Sequence, residues 1–100
     1  GLINRPTRSD VLCGKGDDRM ISHRGNIYLR QIVHDNRHEF VSKTTNKLEK
    51  ANIAARIVEH IRELNPPGRF LKKAHEDSDV WIEIGDEKAR KKVSQALRED

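Results

Sequence analysis

The chain of 100 residues has one cysteine, three prolines, one Trp, one Tyr and two Phe. A lone Cys13 excludes an intramolecular disulfide, so the fold must hold without covalent staples, as suits a reducing compartment such as cytosol or nucleus. No stretch approaches the ~20 consecutive apolar residues of a membrane-spanning helix, and no signal-peptide pattern is visible. No membrane partner is expected. The first residue is Gly rather than Met, which predicts a domain cut from a longer chain. Internal repeats and low-complexity segments are also absent.

Catalytic constellations are missing too. Gly14-Lys15-Gly16 lacks the Gly-x-x-x-x-Gly-Lys-Ser/Thr spacing of a phosphate-cradling loop, so its glycines are expected to serve a tight turn. His34 and His38 share a helix face at i, i+4, and Cys13 and His23 could be drawn in as further zinc ligands. The ligands are scattered, without Cys-x-x-Cys or His-Glu-x-x-His, so surface histidines are the default. Cys13 sits in an apolar run and reads as core rather than nucleophile. No Ser/His/Asp arrangement is present. The expectation is a non-enzyme without metal or cofactor.

What the chain has is charge: 36% of residues are charged and the formal net charge is +4. The pI of about 9.5 passes the rough threshold of ~9 for a nucleic-acid-binding domain. Apolar residues make up 34%, enough for one small core drawn from amphipathic faces.

Residues 1–9 read as a polar lead-in and 10–100 as one domain. Asp10 to Cys13 suits a short strand, followed by a loop from Gly14 through Gly25. Asn26 is a plausible N-cap for a first helix, with Leu29, Ile32, Val33, Asn36 and Phe40 at helical spacing and an end near Val41 to Lys43. Asn46 caps a second helix whose stripe is Ala54, Ile57, Val58, Ile61 and Leu64. Asn65-Pro66-Pro67-Gly68 stops it. Arg69–Lys73 and Val80–Ile84 read as the strands of a hairpin, and Asp86 as the cap of a third helix ending near Glu99. A hairpin alone is marginal, so the first strand is expected to join at its edge. The fold class is α+β: three helices with a short antiparallel sheet, in the order β-α-α-β-β-α. The hairpin precedes the last helix, so this is not a standard winged helix.

The last helix carries the sharpest chemistry. Ala89, Val93, Ala96 and Leu97 make its apolar stripe, and Asp86 and Glu87 favour its positive end. Lys91, Ser94, Gln95 and Arg98 lie opposite and could read base edges, with Arg98 suited to guanine and Gln95 to adenine. Lys88 and Arg90 suit phosphates, as does Lys91. The plain alternative is an ordinary solvated face. Arg69, Lys72, Lys73 and His75 make the hairpin basic, either for phosphates or as edge protection. Lys15, Arg19, His23 and Arg24 could grip a phosphate from the loop, with the amides of Asn26 and Ile27 aiding. Trp81 could stack on a base, although its apolar neighbours Val80 and Ile82 favour a core position.

Several segments together resemble an uncharacterised domain family, a domain of unknown function abundant in diatom proteins. They are Asp10-Val11-Leu12-Cys13-Gly14-Lys15-Gly16, His23-Arg24-Gly25-Asn26, Ile57-Val58 with Ile61, Arg69-Phe70-Leu71, Trp81 with Glu83, and Asp86 through Arg98. Family members often carry His-Pro-Gly-Asn where this chain has His23-Arg24-Gly25-Asn26. The resemblance spans Asp10 to Glu99 and implies a fold unit but little chemistry. It also implies that the loop from Asp10 to Asn26 is more than a spacer.

The sequence thus predicts a sequence-specific DNA-binding module of a nuclear regulatory protein. Helix 86–99 would enter the major groove of double-stranded DNA, with the hairpin and Gly-rich loop on phosphates. The rival is a protein-interaction module whose basic face meets an acidic partner, with Tyr28 or Trp81 as exposed anchors.

Overall fold

A computed structural model describes residues 1–14 and 18–99. The elements run β1 (Val11–Cys13), α1 (Asp18–Ser22), α2 (Arg24–Val41), α3 (Lys47–Arg62), β2 (Phe70–Lys73), β3 (Trp81–Glu83) and α4 (Gly85–Arg98). The α+β class and the order of the strands and the three long helices are those read from the sequence. The short α1 is an addition, since it falls where a continuous loop was expected.

The sheet order is β1-β2-β3. β2 pairs antiparallel with β3, as the hairpin required, while β1 joins β2 in parallel, with Val11 opposite Phe70. The sheet is therefore mixed. A parallel neighbour needs a crossover connection, and α1, α2 and α3 supply it.

The three long helices stand on this small sheet. α2 leaves it beside Leu12, α3 returns to it where Gly68 N–H donates to Ile61 O at 2.9 Å, and α4 departs where Ile84 N–H donates to Phe70 O at 3.0 Å. The bundle accordingly runs up, down and up within a 43 × 24 × 22 Å body. Its core contains Leu29, Val33 and Phe40 of α2, Ile53, Ala54, Ile57, Val58 and Ile61 of α3, and Ala89, Val93 and Leu97 of α4. Val11, Cys13 and Phe70 close that core from the sheet. The opposite sheet face carries a second cluster of Leu12, Leu71 and Trp81 with Met20 of α1. Burying Trp81 at 7% exposure settles it as a core residue.

Helix starts show where local signals were sufficient. Asn46 caps α3 as expected, within a full capping box: its side chain accepts from Glu49 N–H at 2.8 Å, and Glu49 Oε1 accepts from Asn46 N–H at 3.0 Å. Two other expected caps are corrected. His23, not Asn26, holds the N-cap position of α2, and Ile84, not Asp86, that of α4. Asp86 is drawn instead to Arg62 at the end of α3, an ion pair that ties the two antiparallel helices together.

Asn26 serves a different purpose. Leu12 N–H donates to its Oδ1 at 2.8 Å, and its Nδ2 donates to Leu12 O at 2.9 Å. One carboxamide thus replaces the partner strand that the outer edge of β1 lacks, satisfying both backbone groups of a nearly buried residue. This requires α2 to lie very close to β1. At Gly25 a Cβ would fall 1.8 Å from Asp10 O, so any side chain there would force the helix away.

The other sheet edge is closed by the lead-in segment. Ile3 N–H donates to Trp81 O at 2.9 Å, and Trp81 N–H to Ile3 O at 2.8 Å. Among the described residues each outer strand is thus covered at one position, Leu12 by Asn26 and Trp81 by Ile3, which shortens the open ladder left for self-association.

Candidate nucleic-acid interface

α4 is built as the sequence suggested, with Ala89, Val93 and Leu97 fully buried. On the opposite side Lys88, Arg90, Lys91, Gln95 and Arg98 are exposed and Ser94 is half-buried. Lys91, Ser94, Gln95 and Arg98, with Arg90 and Glu87, form one wall of a groove of about 450 Å³ whose far side is Ala51 and Ala54 of α3. The small alanines leave the groove open where larger residues would fill it.

Two of these side chains already have partners. Lys91 Nζ stands 3.9 Å from Glu87 across one helical turn, with both side chains about four-fifths exposed, so the pair contributes little. The Arg98 guanidinium lies over the Phe40 ring at 5.8 Å, and Lys50 Nζ lies over the same ring at 5.6 Å. Each such contact stabilises by about 0.5–1 kcal/mol at an exposed site, a modest cost for Arg98 to leave. Lys50 and its exposed neighbour Lys47 open α3 beside the end of α4, a basic pair the sequence reading missed. Nothing in the linear pattern links them to Arg98, because only the antiparallel packing of α3 on α4 does so.

The end of α4 is fixed by Arg37, whose Nη2 donates to Ala96 O at 3.0 Å and whose Nε donates to Leu97 O at 3.4 Å. A cation on these last carbonyls also complements the helix dipole.

The phosphate candidates separate into several places. Arg69 forks the fully buried Asp10 carboxylate: its Nε donates to Oδ1 at 3.0 Å and its Nη2 to Oδ2 at 2.8 Å. Asp10 also accepts the backbone N–H of Arg69 at 2.9 Å and of Thr7 at 2.7 Å. The Asp10 hydrogen bond is the main reason the Arg69 guanidinium is held above its ordinary pKa. Arg69 therefore acts as a clasp between β1 and β2, and using it on a phosphate would strip a buried carboxylate of its partner.

Arg19, His23 and Arg24 come together around a cavity of about 490 Å³ floored by Leu12, Met20 and Trp81 and flanked by Pro6. His23 Nε2–H donates to Thr7 O at 3.0 Å. The amide of Ile27 donates to His23 O, which corrects its expected role as an anion donor. Lys72 and Lys73 line another cavity of about 530 Å³ with Cys13, Met20 and His75. None of these loop and hairpin residues lines the α4 groove. Gln95 and Arg98 stand near the end of α4 remote from the sheet, at ~1.5 Å of rise per residue. Lys15 lies outside the described residues.

His34 and His38 are exposed on α2, and among the described residues no three His, Cys, Asp or Glu side chains are grouped to hold a metal ion. Cys13 is buried, and burial pushes its thiol pKa up to about 11, against a smaller opposing pull from the Lys92 charge and a backbone hydrogen bond from Leu71. At neutral pH it is a thiol and a poor nucleophile. Among the described residues no helix is long and apolar enough to cross a membrane.

The family described as Domain of unknown function (DUF6824) matches residues 10–99. The chain belongs to this family. No curated protein and no solved structure matches the chain. Within the matched span fall the Asp10–Arg69 clasp, the Gly25-Asn26 approach to β1 and the whole of α4.

Proposed function

We propose that the chain is a DNA-binding module of a nuclear regulatory protein that meets the duplex with the open face of α4. The supporting observation is that Lys91, Gln95 and Arg98 are exposed together on one wall of a groove. An α-helix with its side chains is ~10–12 Å across, which suits a major groove ~12 Å wide. Gln95 and Arg98 would read base edges, with Ser94 at the groove's margin. Lys88, Arg90 and Lys91 would hold phosphates, and Lys47 and Lys50 would do so from α3. Arg19, His23, Arg24, Lys72 and Lys73 line other cavities and Arg69 binds Asp10, so these described residues of the loop and hairpin are not assigned to this face.

The test is selection from a random duplex library, followed by anisotropy titrations over a salt series. Log affinity should fall by ~0.9 per unit log salt for each phosphate neutralised. Lys91→Ala should weaken all sequences alike and reduce that slope by about 1. Gln95→Ala or Arg98→Ala should change the selected sequence, at about 1–3 kcal/mol per lost base contact. No binding at low salt would refute the reading. Binding without preference would leave only a backbone contact.

A protein-docking reading is supported by one observation. Ile27 and Tyr28 are 48% and 39% exposed and share a second groove with Arg8 and Arg24. Tyr28, rather than the buried Trp81, would be its aromatic anchor.

A further inference from the structure

The cavity beneath α1 lies apart from the α4 groove and shares only Arg24 with the Tyr28 groove. Its floor is apolar, made by Leu12, Met20 and Trp81 of the second core cluster. Its rim carries the guanidiniums of Arg19 and Arg24 and the imidazole of His23, and no carboxylate is among the described residues that line it. The volume of about 490 Å³ lies within the ~300–1,000 Å³ usual for small-ligand sites.

Arg24 carries most of the argument. It is exposed, has no ion-pair or hydrogen-bond partner among the described residues, and opens α2, whose first turn contains no acidic residue. A cation at the positive end of an 18-residue helix is unfavourable by the dipole. An anion placed between Arg24 and its basic neighbours would relieve that repulsion. Two guanidiniums and an imidazole match a phosphomonoester dianion better than a single negative charge. The apolar floor calls for a flat, unpolar body attached to it.

We propose that this cavity is a binding site for a phosphomonoester carried on a flat apolar ring, with the phosphate at Arg24, Arg19 and His23 and the ring against Leu12, Met20 and Trp81. The chain has one Trp, so its single indole N–H resonance reports on the floor directly.

The experiment is a titration of the ¹⁵N-labelled chain with phenyl phosphate, with inorganic phosphate and phenol as separate arms. The expected result is a saturable shift of the Trp81 indole signal and of the Leu12 and Arg24 amides, with each half-ligand binding at least ten-fold more weakly. Arg24→Glu should weaken phenyl phosphate at least ten-fold while retaining the wild-type pattern elsewhere. Arg56→Glu, on the outer face of α3, should change nothing. The proposal is overturned if phenyl phosphate gives no saturable shift at millimolar concentration, if inorganic phosphate binds as well, or if Arg24→Glu binds normally.

Discussion

Replacing Asn26 by Ser distinguishes two physical roles for one residue. Asn, Asp and Ser are about equally good N-caps, so a capping Asn26 would tolerate Ser within about 0.5 kcal/mol. The structure gives Asn26 the role of a surrogate strand, with Oδ1 and Nδ2 at 2.8 and 2.9 Å from Leu12 N and O. Serine is too short and has one hydroxyl, so it cannot bridge both groups. Leu12 is 6% exposed, and an unpaired buried backbone group costs about 1–3 kcal/mol. Two such groups, with some relief from entering water, give a loss of about 2–4 kcal/mol. A domain of this size has about 5–15 kcal/mol in total, so the variant should fold but with a Tm lower by roughly 10–25 °C. Asn26→Asp keeps the acceptor but sets a carboxylate oxygen against Leu12 O, and should lose a comparable amount. Urea unfolding followed by Trp81 fluorescence and by circular dichroism would measure both. If Asn26→Ser unfolds within 0.5 kcal/mol of wild type, the surrogate-strand argument is wrong.

Two further outcomes follow from the same geometry. Gly25→Ala should be far more damaging than Gly85→Ala by thermal melts. At Gly25 the new methyl would meet Asp10 O at 1.8 Å, whereas at Gly85, with φ of +84°, nothing lies within 4 Å and only backbone strain of ~1–2 kcal/mol arises. Cys13 should make stability depend on alkaline pH. Its folded pKa of about 11 exceeds the ordinary thiol value of 9.0, so between those values the unfolded thiol ionises while the folded one stays neutral. The stabilisation is present in full below pH 9 and is lost as pH rises toward 11, amounting to about 2–3 kcal/mol at most. Wild type should therefore lose stability relative to Cys13→Val across that window in urea titrations, and parallel curves would refute it.

Which parts of this fold were legible depends on the range of the interactions. The stripes of α3 and α4 repeat within one helix, so period and capping chemistry locate them: Asn46 with Glu49 is a complete local signal. Asn26 and Asp86 look identical to caps in sequence, yet both are used across the fold, by Leu12 and Arg62. No local rule separates a capping side chain from one recruited by a distant element. For the candidate site, the composition of the α4 face was readable from helical spacing. Its neighbours were not, because Lys47 and Lys50 reach it only through the packing of α3 against α4.

The linear chain, by itself, determined the long helices, the hairpin, the small core and a basic α4 face. These follow from periodicity, turn residues and charge, all properties of near neighbours along the backbone. Tertiary structure alone decided that β1 would join β2 in parallel, that Arg69 would be engaged by a buried Asp10, and that the other described basic candidates would separate between the α4 groove and two further cavities. Those outcomes depend on contacts between residues 59 or more positions apart, and charge patterning carries no information about which face of a folded body a residue will occupy.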